Sequence, residues 1–272
     1  MPVLTFACGP TNSMRGAAFL SGLQDALVVD VGGTTTDVGE VKDGFPRLAG
    51  TSVMVADVRT NFAMPDVISI GLGGGSIIDL KEPMTIGPVS VGHELLQKAK
   101  VFGGDTLTAT DLAVASGRCE VGNNAPPLIS NIDKLIKILD KMVSDQVARA
   151  RTSNKAIPVI AVGGGSVMMP LEIDGLEVVT PKHNDLANAV GAAIAQVSGQ
   201  VSRVVLLNDE VDRDSAIQEV TEEATSLAVK RHADPKSISV LTISDIPLSY
   251  LPGNNLLINV TVVGDLLMEG FE

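Results

Sequence analysis

The feature that most constrains this chain is an apolar run, Ala26-Leu27-Val28-Val29, that empties into Asp30-Val31-Gly32-Gly33-Thr34-Thr35-Thr36-Asp37. The run reads as a buried strand. It leads into a turn with two adjacent glycines, three hydroxyls and a carboxylate at each end. Glycine lets a backbone approach a ligand closely and take positive φ. Successive N–H groups in such a turn cradle phosphate oxygens, and paired carboxylates suit Mg²⁺, directly or through water. A plain two-residue hairpin asks for less, such as one Asn-Gly pair. The segment therefore predicts a nucleotide-phosphate hairpin.

Composition narrows the partners. The 272 residues are 45% hydrophobic, enough for a large core in one or two domains. Trp is absent, Tyr occurs once and the net charge is −12, which argues against nucleic acid as a ligand. Cys8 and Cys119 are the only cysteines. They make no disulfide framework, so a reducing, cytoplasmic setting is the expectation, with both thiols as small buried residues. No apolar run reaches 18 residues and the N-terminal residues show no basic region followed by a long apolar core, so neither a membrane span nor a signal peptide is expected.

Along the chain, strands are expected over residues 3–7, 26–31, 38–41, 53–58, 67–70, 77–80, 157–162 and 178–179. Helices are expected over 14–20, 108–115, 129–151 and 185–197, the first capped from the turn at residues 9–12. From about Gly199 the character changes. Strands over 201–207, 238–243 and 256–263, with a charged amphipathic helix over 214–231, read as a smaller α/β unit.

Two further turns place three glycines and a serine after a strand: Gly73-Gly74-Gly75-Ser76 and Gly163-Gly164-Gly165-Ser166. The second can let an adenine or ribose lie flat on the backbone; the first can line the reacting end of a substrate or the γ-phosphate. Neither has the Lys-Ser/Thr of a Walker loop, and Ser76 and Ser166 lack the context of a hydrolase elbow. His93, His183 and His232 show no zinc spacing and read as exposed.

These segments, taken in order, resemble a known family. Cys8-Gly9-Pro10 with its small-residue helix, Asp30 to Val38, Ile70 to Ile77, Gly87 to Ser90 and Thr108 to Asp111 are similar to five motifs of the hydantoinase A/5-oxoprolinase family. That family lies within the actin/Hsp70/sugar-kinase ATPase superfamily. The resemblance implies an α/β fold, a ribonuclease-H-like mixed-sheet lobe with a small C-terminal α/β unit. It divides the chain into residues 1–22, the end of a first lobe; 23–200, a second lobe; and 201–272, the tail. Family members carry another such hairpin near their N-terminus, whereas this chain has one copy, so Met1 is expected to be a truncation boundary. Residues 93–100 also depart from the family's Pro-Gly-Pro-Ala-Cys-Tyr-Gly stretch, which withholds the substrate class.

The implied cofactors are ATP and Mg²⁺. Asp30 and Asp37 would serve catalysis and metal. Gly32, Gly33, Thr34, Thr35 and Thr36, with Gly163, Gly164, Gly165 and Ser166, would bind nucleotide, and Gly73, Gly74, Gly75 and Ser76 would lie by the substrate. The implied reaction is ATP-dependent opening of a cyclic amide of hydantoin or 5-oxoproline type, through phosphorylation of the amide oxygen. The implied partners are that small molecule and either a second, B-type subunit or a missing N-terminal lobe; a homo-oligomer is compatible with this. An ATP-dependent carboxylase subunit acting on a ketone is one alternative, and a non-catalytic half-ATPase scaffold is another.

Overall fold

The computed structural model describes residues 7–49, 53–55, 58–60, 64–122, 124–208 and 211–267. The strand expected over 3–7 lies outside them but for Ala7. The chain divides into two compact units, residues 1–194 and 195–272.

The first unit opens with helix α1 (Cys8–Ser21), then strands β1 (Ala26–Val31), β2 (Thr36–Lys42) and β3 (Phe45–Pro46). A small hairpin of β4 (Val53–Val55) and β5 (Val58–Thr60) comes next, in place of one continuous strand. After it stand β6 (Val67–Ile70), β7 (Ser76–Asp79), β8 (Thr85–Ser90), α2 (Leu95–Lys98), α3 (Ala109–Ala115) and α4 (Ile132–Ala150). The unit closes with β9 (Val159–Val162), β10 (Glu172–Ile173), β11 (Leu176–Val179) and α5 (Ala187–Ala193).

The main sheet runs β10-β11-β9-β1-β2-β3, with β6 also paired to β2. β1 is antiparallel to β2 and parallel to β9, and β11 is parallel to β9. This is the ribonuclease-H-like mixed sheet that the resemblance implied. β6 is antiparallel to β2, so β1, β6 and β9 point the same way.

β1 is apolar throughout its first four residues because it is covered on both faces. Leu27, Val29 and Val31 join a core with α3 and the buried stripe Leu135, Leu139, Val143 and Val147 of α4. Ala26 and Val28 face Met14, Ala17 and Ala18 of α1 and Ala187 of α5.

α1 begins at Cys8, earlier than expected. Pro10 is tolerated there because first-turn N–H groups have no helical acceptor. Thr11 bonds backward rather than capping forward, its hydroxyl donating to the Ala7 carbonyl at 2.8 Å. α1 and α5 cross at two glycines. A Cβ on Gly16 would stand 1.8 Å from the Ala187 oxygen, and one on Gly191 would stand 1.8 Å from the Asn12 oxygen. α5 ends at Ala193, short of the expected 197, because Val197 already pairs with Gly264 in the next strand.

In the second unit β12 (Val197–Leu207), β14 (Asn254–Gly264) and β13 (Ser239–Pro247) form an antiparallel sheet in that order. Helix α6 (Arg213–Lys230) starts at Asp212, whose carboxylate accepts from the Ser215 N–H at 2.8 Å. Its stripe Ala216, Val220, Ala224 and Ala228 packs on Leu256, Ile258, Val260 and Val262.

The helix crossing yields a prediction. Gly16→Ala should destabilise the first unit by about 1–3 kcal/mol, the usual cost of overpacking, because the new methyl meets backbone that cannot rotate away. Urea unfolding of the variant checks this; an unchanged midpoint would refute the close crossing.

Candidate functional site

The three glycine-rich turns leave the C-terminal ends of β1, β6 and β9, the three strands that share one direction. The sheet thus gathers at one edge segments that are far apart in sequence, the usual placement of ligand sites in α/β sheets.

The first turn closes with the Gly32 N–H donating to the Thr35 carbonyl at 2.9 Å. Gly33, Thr34 and Thr35 are exposed. Their N–H groups have no acceptor among the described residues, so the tip offers open donors. Thr36 behaves differently: it is fully buried, and its hydroxyl donates to the Leu72 carbonyl at 2.7 Å. It anchors the hairpin from beneath.

Asp30 and Asp37 stand directly opposite each other on β1 and β2, so both side chains project from one face. Asp37 accepts from the Ser69 hydroxyl on β6. Asp30 is half-buried, and that burial pushes its carboxyl above the usual carboxylate range. A hydrogen bond from Ser13 of α1 opposes the rise, and the charge of Asp37 adds to it.

The second turn braces the first. Gly74 and Gly75 N–H groups donate to the carbonyls of Gly32 and Gly33 at 3.0 and 2.8 Å. A Cβ on Gly73 would stand 2.5 Å from Gly33 C and Thr34 N, and one on Gly75 would stand 3.0 Å from the Gly33 oxygen. The Gly73 N–H donates to Ser76 Oγ at 2.9 Å and the Ser76 N–H to the Gly73 carbonyl at 3.0 Å. All four N–H groups therefore have protein acceptors, and Ser76 is fully buried.

Thr110 secures this brace, with hydroxyl and N–H both donating to the Gly74 carbonyl at 2.9 and 3.0 Å. Asp111, wholly buried, completes a capping box with Thr108 and also accepts from the Val101 N–H at 2.7 Å. Ser90 Oγ donates to the Gly33 carbonyl at 3.1 Å and accepts from the Gly92 N–H at 3.0 Å.

The third turn packs on the base of the first. Gly163 has φ +84°, and a Cβ there would lie 2.4 Å from Asp30 Oδ1. The Gly165 N–H donates to the Val31 carbonyl at 2.8 Å. Gly165 and Ser166 are buried, and the Ser166 hydroxyl has no partner among the described residues. Gly164 alone of these four is exposed, with open space where a side chain would stand.

Among the described residues no group of three or more His, Cys, Asp and Glu could hold a metal ion. Mg²⁺ is commonly bound by one or two carboxylates together with phosphate oxygens and water. The Asp30–Asp37 pair beside an open donor tip fits that mode. His93, His183 and His232 are exposed. Cys119 is half-buried and burial raises its thiol pKa, but Cys8 is exposed on the first turn of α1 and not buried as expected. Sequence reasoning gave no role to Ser13 or Ser69, because single hydroxyls carry no periodic signal, and it offered Thr110 only as an alternative N-cap and as part of the Thr108–Asp111 motif.

Fold and site together define a mixed-sheet α/β lobe with an exposed, backbone-braced hairpin. Residues 1–125 match the hydantoinase/oxoprolinase family. It is 32% identical over 119 residues to the gamma subunit of acetophenone carboxylase from Aromatoleum aromaticum, covering 42% of this chain and 16% of that protein. Among solved structures it is similar to the ATP-dependent caprolactamase from Pseudomonas jessenii, with TM-score 0.67 and 17% identity over 94% of this chain and 49% of that one. Nucleotide-free acetone carboxylase gives TM-score 0.61 and 15% identity, covering 95% of this chain and 49% of that one. The structural likeness is one of fold. The chain spans about half the length of these solved structures.

Two outcomes are expected. Gly73→Ala should cost about 1–3 kcal/mol through its clash with hairpin backbone; equal urea midpoints for variant and parent would remove the bracing role. Asp30→Asn should raise the thermal midpoint at neutral pH. Folding raises the Asp30 pKa, so the ionised carboxylate costs stability above the folded value. The cost fades as pH falls through the folded pKa and is gone below the unfolded one, so the advantage of the variant should disappear near pH 3. A variant no more stable than its parent at pH 7 would contradict the desolvation of Asp30.

Proposed function

We propose that this chain carries the phosphate-binding lobe of an ATP-dependent enzyme that opens cyclic amides of the hydantoin, 5-oxoproline or lactam kind. The observation that carries this reading is the hairpin tip, where the N–H groups of Gly33, Thr34 and Thr35 are open beside the Asp30–Asp37 pair. When bound, ATP supplies the phosphoryl group that converts an amide oxygen into a leaving group. The chain's own part is positional. Gly33, Thr34 and Thr35 hold phosphate oxygens in place, Gly32 closes the turn through its bond to the Thr35 carbonyl, and Asp30 and Asp37 hold Mg²⁺ or its water. Gly163, Gly164 and Gly165 form the adenosine floor, with Gly164 as its open surface. Gly73, Gly74, Gly75 and Ser76 act from beneath, by keeping the tip rigid. Positioning and charge neutralisation are what phosphoryl transfer asks of a protein.

A second reading is favoured by the 32% identity to a carboxylase gamma subunit. In it the same lobe serves an ATP-dependent carboxylase acting on a ketone with bicarbonate, as one subunit of a larger assembly. ADP release by the full-length protein, challenged with hydantoins, 5-oxoproline and lactams and separately with ketones plus bicarbonate, separates the two.

In the full-length protein Asp30→Ala should abolish ATP turnover while far-ultraviolet circular dichroism stays unchanged. Near-normal turnover in that variant would sink the assignment of the hairpin.

A further inference from the structure

The chain leaves α3 by a fixed route. Gly117 follows the helix at φ +75°, and its N–H donates to the Val114 carbonyl at 3.0 Å. The next N–H, of Arg118, donates to the Ala113 carbonyl at 2.9 Å. Paired closure around a left-handed glycine is a common helix ending, and it fixes the backbone of the residue that follows. The Arg118 guanidinium then spans two acceptors on other elements. Nη1 donates to the Met168 carbonyl at 2.6 Å, and Nη2 donates to Asp140 Oδ2 of α4 at 2.7 Å. A planar fork with fixed donor directions can hold two such acceptors at once. Asp140 Oδ1 is buried without a partner among the described residues, so this carboxylate relies on Arg118.

Met168 ends the short turn over Ser166–Met168 that carries the chain out of the third glycine turn. Its N–H donates to the Gly165 carbonyl at 3.0 Å, and the Gly165 N–H donates to the Val31 carbonyl at the base of the hairpin. The incoming side of that turn is held separately, by the Gly163 N–H on the Asn184 carbonyl at 3.0 Å. At its other end α3 is anchored by Thr110 on the Gly74 carbonyl, and Gly74 in turn donates to Gly32. Hairpin, second turn, α3 and third turn thus form a closed circuit, and the Arg118 side chain links α3 to the third turn. The hairpin tip has its own braces in Gly74 and Gly75. The outgoing side of the third turn is the part that Arg118 holds.

We propose that Arg118, held in place by Asp140, is a positioning residue for the nucleoside end of a bound nucleotide: by gripping the Met168 carbonyl it fixes the outgoing side of the third turn, and with it Gly164, the exposed surface of that turn. This rests on the reading of residues 163–165 as the adenosine floor. It divides the nucleotide between two supports, the phosphates on the braced tip and the nucleoside on the floor that Arg118 holds.

The test is calorimetric binding of ATP and of inorganic tripolyphosphate, each with Mg²⁺, to the full-length protein. The chains compared are the parent, Arg118→Met, Arg118→Lys, Asp140→Asn and Gly164→Val, the last at a position with open space for a side chain. Residues that act through a packed network shift the affinity of a remote site by about 2- to 30-fold. Arg118→Met is expected to weaken ATP binding about tenfold and to leave tripolyphosphate binding within about twofold of the parent. Arg118→Lys, whose ammonium cannot span both acceptors, should weaken ATP less, and Asp140→Asn least. Equal weakening of both ligands in Arg118→Met overturns the proposal, since Arg118 then supports the lobe as a whole. Unchanged ATP affinity in Arg118→Met, with Gly164→Val weakened, overturns it too and leaves the adenosine-floor reading standing. Should Arg118→Met not fold, Arg118→Lys and Asp140→Asn are read by the same criterion. Gly164→Val protein that binds ATP like the parent sinks the floor reading and the proposal with it, and a parent that binds neither ligand sinks the hairpin reading as well. A merely structural role would lower the melting temperature of the variants without separating the two ligands.

Discussion

The site depends on two backbone hydrogen bonds, from Gly74 and Gly75 to the carbonyls of Gly32 and Gly33. They turn a mobile kind of structure, a glycine turn, into a supported one. A hairpin whose carbonyls are engaged from below has its N–H groups set in the opposite sense, outward. Side chains could not provide this support at such close range, because a Cβ on Gly73 would penetrate the hairpin backbone. The triple glycine is therefore best understood by what lies on it, and Thr110, Asp111 and Ser90 by how they hold it still.

The same region stores an electrostatic cost. Asp30 lies near the end of a strand, between Val29 and Val31, both fully buried, and desolvation disfavours its charge. Proteins place such groups where ionisation is to be stabilised by something that arrives later. Here one hydroxyl compensates in part. The lobe accepts a less stable resting state in return for a carboxylate with few competing partners.

Much of this was legible in the chain. β1, its turn and β2 follow from an unbroken apolar run and a concentration of glycine, threonine and aspartate that no ordinary turn requires. The periodic stripe of α4 was equally readable, while the sequence left the cap of α3 open between Thr108 and Thr110 and the structure places it at Thr108. The family's motif order carried the sheet type. What could not be read was which glycines touch ligand and which touch protein. Gly73 and Gly164 look alike in sequence, yet one is pressed against backbone and the other faces open space. Thr34, Thr35 and Thr36 are likewise three identical letters with two fates, because strand alternation turns Thr36 inward. The start of α1 and the end of α5 were misplaced where a backward hydroxyl bond and a strand pairing outweighed local propensity. Ser13 and Asn188 meet through a helix crossing set by two distant glycines, which local sequence does not reveal.

The order of the sheet also has a bearing on how the chain is made. The hairpin and its brace come from the first third of the sequence, whereas β9, the parallel neighbour of β1, comes only after α4. Parallel pairings of this separation form slowly, since a long loop closes before any contact repays it. During synthesis Leu27, Val28 and Val29 stand on an open strand edge until residues 159–162 leave the ribosome. An apolar edge of that kind is a ready template for the wrong partner. The gap in sequence between β1 and its parallel partner β9 is thus also an interval in synthesis during which that edge stays open.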